Sequence, residues 1–167
     1  MTDDVFSGLG GYDSRNSRRY ADRPGEWIMS VTDLTRGTSQ NKKGKNYKAP
    51  FVAGTFTIEQ IIHESPDTER GQVENHVGAR YSWMKYLNDR DAGSFDRNMQ
   101  ALQEFLAAIT KLPSAEVTSD VGALLFKDGG AAAKGMKFKM KVVANPYTNE
   151  ETGKTTIYHN VYFDPAP

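Results

Sequence analysis

The sequence predicts a mainly β domain of five strands, with one amphipathic helix set between the third strand and the fourth. Three observations carry this. Residues 136–142 alternate strictly, with Met136, Phe138, Met140 and Val142 on one side and Lys137, Lys139 and Lys141 on the other. That is the period of a half-buried strand. The stretch FVAGTFTIEQII (51–62) is dense in β-branched and aromatic residues, which suit a pleated sheet. In SFDRNMQALQEFLAAITKLP (94–113), Met99, Leu102, Phe105, Leu106, Ile109 and Leu112 recur at helical spacing and form one apolar stripe.

Taken in order, residues 1–23 are rich in Gly, Ser, Asp and Arg and read as a flexible basic arm. Arg15, Arg18, Arg19 and Arg23 stand there among Tyr12 and Tyr20. Residues 24–167 then form a single domain, the natural outcome for a chain of 167 residues. A first strand, EWIMSVTDL, follows the Pro24–Gly25 turn, and the polar loop RGTSQNKKGKNYK (36–48) follows that. This loop holds Arg36, Lys42, Lys43, Lys45 and Lys48 and no acid. After the second strand, residues 63–76 turn acidic, with Glu64, Asp67, Glu69 and Glu74 against Arg70.

The third strand is VGARYSWMKYL (77–87). Its alternation places Arg80 and Tyr86 outside and Trp83 in the core. Ser94 or Asp96 caps the helix, Lys111 suits its negative end, and Pro113 stops it. Residues 114–135 form an irregular connection and NPYTNEETGK (145–154) a turn, after which TTIYHNVYF (155–163) closes the sheet. Matching the last two strands as a hairpin puts Ile157, Val161 and Phe163 in the core row, with His159 among them. Tyr158, Asn160 and Tyr162 then share the outer surface with Lys137, Lys139 and Lys141.

Composition excludes several chemistries. Lys and Arg total 21, as do Asp and Glu, so any electrostatic preference is local. The absence of cysteine removes disulfides, thiol nucleophiles and thiolate metal sites. The three histidines have no helical i, i+4 pair, and no phosphate loop or GxSxG is present. We therefore expect no catalysis, no metal and no cofactor. The N-terminus has no secretory pattern and no apolar run approaches a membrane span, which implies a cytoplasmic protein with no membrane partner.

Three strands, a helix and two strands is the element order of the five-stranded OB barrel. Its strand 2–3 face and the loops after strands 1 and 4 bind oligonucleotides or oligosaccharides. In PGEWIMSV, the basic loop ending NYK, FTI leading to VG and W, FDRNMQALQEFLAAI and GKTTIYHNVYFDP, the chain resembles the OB-fold single-stranded DNA-binding proteins of tailed bacteriophages. The resemblance spans roughly residues 24–165. It implies a viral protein that coats exposed single strands during DNA replication, recombination or repair. Other proteins of those processes and a second copy of the chain are its further partners, and the host-cell cytoplasm is its place. The chain ends FDPAP, without the acidic tail by which cellular relatives recruit partners.

The candidate binding residues are Arg36, Lys42, Lys43, Lys45, Tyr47 and Lys48 in the loop, Arg80 and Tyr86 on strand 3, and Lys137, Lys139, Lys141, Tyr158 and Tyr162 on the last hairpin. Lysines interleaved with tyrosines suit a single strand, since ammonium groups follow phosphates while bases stack on rings. The competing reading is a structural or protein-interaction OB domain that uses its lysine face on an acidic partner.

Overall fold

A computed structural model of the protein describes residues 23–66 and 74–167. Strands β1 (Gly25–Thr38), β2 (Pro50–Glu64) and β3 (Arg80–Tyr86) are followed by helices α1 (Ala92–Thr110) and α2 (Ser119–Phe126), then β4 (Lys137–Thr148) and β5 (Thr155–Pro165). The five strands form one antiparallel sheet in the order β3-β2-β1-β4-β5. The basic arm and the acid-rich stretch 67–73 lie outside the described residues, except that Arg23, placed in the arm by its sequence, is 2% exposed.

The sheet is staggered. β2 pairs with β1 over its whole length, whereas β4 pairs only with Gly25–Ser30 of β1 and β3 only with Phe51–Thr57 of β2. Irregularities between Glu26 and Trp27, Ile28 and Met29, and Val31 and Asp33 increase the twist of the β1–β2 hairpin. The sheet curls until its two edges face each other, with the Trp83 and Phe163 ring centroids 5.8 Å apart. No β3–β5 ladder forms among the described residues, so the sheet is open there, and the barrel closure expected from the element order is not made.

The enclosed core is aromatic. Phe56 lies 4.8 Å from Phe138 and 5.2 Å from Phe105, and Phe105 lies 5.4 Å from Phe163. Phe105 thus carries the apolar stripe of α1 to the centre of the curled sheet, with Leu106 and Ile109 also buried. A second anchor is polar. The Glu64 carboxylate accepts from the Trp27 indole at 2.9 Å and from the Asn75 side chain and backbone at 2.8 Å each, and pairs with Arg23 at 3.4 Å. A buried carboxylate demands such partners, and here they tie the start of β1 to the end of β2.

Five expectations are corrected. Residues 121–126 belong to a helix, α2, that buries Leu125 and Phe126; its short apolar run packs at helical spacing. The α1 cap is Asp91, whose side chain accepts from the Ser94 N–H at 3.4 Å, because the helix starts before Ser94. β3 begins at Arg80, while Val77 is exposed and Gly78 turns at φ +91°. β4 runs on through Asn145, Pro146 and Tyr147. Past Val142 it has no β1 neighbour, so a proline there sits on an edge and costs no ladder bond to β1. Ile157, expected in the core, is 57% exposed, because residues 143–148 and 155–160 pair only with each other and project as an arm.

Candidate nucleic-acid interface

Residues 39–49 connect β1 to β2 as a built loop. Ser39 closes its base, donating its N–H to the Ala49 carbonyl at 2.9 Å and accepting from the Lys48 N–H at 2.9 Å. Its tip is fastened from outside. Asn88 donates to the Lys45 carbonyl at 3.3 Å and to Asn46 Oδ1 at 3.1 Å, and Arg90 donates to the Tyr47 carbonyl at 2.6 Å. Lys42, Lys43, Lys45 and Lys48 are exposed, and among the described residues only Lys45 meets an acid, Asp91 at 3.7 Å. The Lys48 ammonium lies 5.4 Å from the Tyr47 ring centroid, a cation–π distance. Arg36 belongs to β1 rather than to this loop, and it lines a 760 Å³ cavity beneath α1 and α2.

Beside the loop, the outer row of β3 reads Arg80, Ser82, Met84 and Tyr86, while Tyr81 and Trp83 are buried. Arg80 is exposed and Tyr86 half-buried. Tyr86 sits opposite Phe51 of β2, their rings 6.3 Å apart and edge-on. The basic loop therefore stands next to an aromatic pair.

The β4–β5 hairpin brings its expected residues together. Lys141 is opposite Tyr162, and Tyr158 is opposite Asn145 further along the arm. Both tyrosines are exposed, Tyr158 at 56% and Tyr162 at 42%. The same parity carries on to Tyr147, whose ring lies 6.4 Å from that of Tyr158. The lysine row is not bare charge, however. Lys141 pairs with Glu26 at 3.7 Å, Glu26 also approaches His63 at 3.5 Å, and Lys139 is opposite Asp164. Lys137 is opposite Ser30, whose hydroxyl donates to Glu59 at 2.6 Å.

Across the sheet the two groups are separated. Lys137 is opposite Ser30, and eight more residues of β1 lead to the basic loop, roughly 26 Å of strand. Between the two sheet edges, β3 and β5 share a cleft. It measures about 630 Å³ and is lined by Thr55, Ser82, Met84, Lys85 and Tyr86 on one side and by His159 and Val161 of β5 on the other. Lys85 is half-buried there, and desolvation pushes its pKa down, a shift that an anion entering the cleft would oppose.

Four side chains of this region escaped the sequence reading. Phe51 and Lys85 sat within strands whose faces only the register assigns, and Arg90 lay in a turn. Tyr147 was hidden by the apparent turn at Asn145–Pro146, although alternation from Lys139 through Lys141 and Val143 leads to it. Among the described residues, no group of three His, Asp or Glu side chains is placed to hold a metal ion, and no helix is long and apolar enough to cross a membrane. Comparison with family models, curated proteins and solved structures finds no match to this chain.

Proposed function

We propose that this chain is a single-stranded DNA-binding protein of OB type that coats exposed strands with little sequence preference and performs no catalysis. The strand order β3-β2-β1-β4-β5, with α1 entered after β3, is that of an OB barrel opened at its β3–β5 seam. The observation that carries the reading is the exposure of Tyr158 and Tyr162 on the same face as Lys141. Rings presented outward beside ammonium groups suit stacked bases and a tracked backbone. The strand runs from the basic loop past Phe51 and Tyr86, over the cleft, and on to the arm tyrosines. Phage DNA replication, recombination or repair is the setting this activity fits, in the host-cell cytoplasm.

Glu26 and Asp164 weigh against the lysine face as a dock for an acidic protein, because Lys141 already meets Glu26 and Lys139 stands opposite Asp164 in the strand register. Anisotropy of end-labelled oligo-dT tests the proposal, with heparin as a charge-only competitor. Affinity should fall with salt by about 0.7 log units per log unit for each phosphate neutralised. Tyr158→Ala should cost about 1–3 kcal/mol for the lost stacking, roughly 5- to 150-fold in Kd. Salt-insensitive affinity, or none at micromolar protein, would overturn it.

A further inference from the structure

β5 is an edge strand along its whole length, and only its C-terminal end, with Asp164, Pro165 and the Glu104 cap on Phe163, carries the usual protections. Residues 155–163, TTIYHNVYF, contain no Lys, Arg, Asp, Glu, Pro or Gly, the residues that normally blunt an edge. Of the nine large apolar or aromatic side chains exposed among the described residues, four stand on the β4–β5 hairpin, Tyr147, Ile157 and Tyr158 on its arm and Tyr162 at the arm's base. Such concentration marks an interaction surface.

The backbone fixes which groups are free. Backbone polar groups alternate sides along a strand. At the arm's turn Lys154 accepts from Asn149 at 2.9 Å, so even-numbered β5 residues bond β4. Odd-numbered residues face outward. Phe163 is one of them, and its N–H is capped by Glu104 Oε1 of α1 at 3.1 Å. Thr155, Ile157, His159 and Val161 remain, with no neighbouring strand on that side among the described residues. At His159 and Val161 the edge opens on the cleft.

We propose that two copies of this chain pair antiparallel along this edge, about a two-fold axis at Tyr158. The uncapped stretch runs from residue 155 to residue 161, and its midpoint is residue 158. Only that register pairs all four free residues, Thr155 with Val161 and Ile157 with His159 of the second copy. Self-pairing of this kind is the isologous contact of a two-fold dimer, and no like charges oppose it within residues 155–161. Tyr158 then faces its own copy at a narrow, non-hydrogen-bonded site with about 4.5 Å between Cα atoms. With Tyr147 beside each, four rings meet in one cluster. The pairing does not depend on what those rings bind.

The chain has no cysteine, so introduced thiols report the register cleanly. Tyr158→Cys should give a disulfide-linked dimer under mild oxidation. Thr156→Cys should not, since its two copies lie about 13 Å apart in this register, beyond the roughly 7 Å limit for bridging. His159→Pro removes an outward N–H and no bond to β4, a placement an edge strand tolerates. It should sediment as a folded monomer with unchanged far-UV circular dichroism, its dimer dissociation constant raised at least tenfold, while the native chain sediments as a dimer at tens of micromolar. A native monomer at that concentration, equal cross-linking of the two thiol variants, or a His159→Pro dimer as tight as the native one would each overturn the proposal.

Discussion

The loop lysines and the strand lysines carry the same charge into different company. Among the described residues, Lys42, Lys43 and Lys48 protrude from a fastened loop without a carboxylate partner, and only Lys45 meets one, Asp91. Lys141 and Lys139 stand in a regular strand, yet Glu26 on one flanking strand pairs with Lys141, and Asp164 on the other stands opposite Lys139. A lysine at every second position therefore does not by itself make a cationic track; the residues one strand away decide the potential. The same contrast holds for the rings. Phe51 and Tyr86 are half-buried at the foot of the loop, whereas Tyr147 and Tyr158 on the arm and Tyr162 at its base are exposed.

The largest expected effect would break the comparison altogether by removing what both regions rest on. Phe105→Ala empties a site where the rings of Phe56, Trp83, Phe138 and Phe163 converge. It should cost about 3–5 kcal/mol, measured by urea unfolding, and binding by loop and arm should fail together. Next, replacing Lys42, Lys43 and Lys48 by Gln should flatten the salt dependence of oligo-dT binding by about 2 log units per log unit. The same change at Lys139 and Lys141 should flatten it by less than half as much. Equal slopes in the two variants would abolish the distinction between the groups.

Glu26→Gln sharpens it further. Freed of its partner, Lys141 becomes available to a phosphate, so binding should tighten a few-fold and the salt slope steepen by about 0.7. The exposed pair itself contributes only about 0–1 kcal/mol to folding, so melting should barely move. Weaker binding by this variant would show that Glu26 aids the ligand rather than competes with it.

The smallest effect is on pH. Burial is the main reason the Glu104 carboxyl titrates above its usual value, and the Asp164 charge adds to it, against the Phe163 N–H bond that lowers it. The folded state thus holds this proton more tightly than the unfolded chain. Stability linked to Glu104 is present below the ordinary glutamate value and is lost as pH rises through the raised one. Glu104→Gln should remove that slope from melting curves between pH 4 and 7 while its carbonyl still accepts from Phe163.

Much of this was legible in the sequence because period is a local property. Alternation in residues 136–142 and the apolar stripe of α1 place Phe105, Phe138 and Met140 in the core, where they are. Tyr158 and Tyr162 were placed outside by parity alone. What was hidden depends on neighbours distant in the chain. Glu26 lies 115 positions from Lys141, and only the β1–β4 register sets them side by side. Pro146 reads as a breaker unless one knows that β4 has lost its β1 neighbour there. Asp91 could not be chosen over Ser94 as the cap from residue type, since both accept an amide hydrogen bond equally well.

The ring contact between Trp83 and Phe163 has a mechanical consequence. A barrel sealed by a ladder opens only by rupturing directional bonds one after another. Here the two facing borders touch through side chains, so parting them would break no inter-strand hydrogen bond among the described residues.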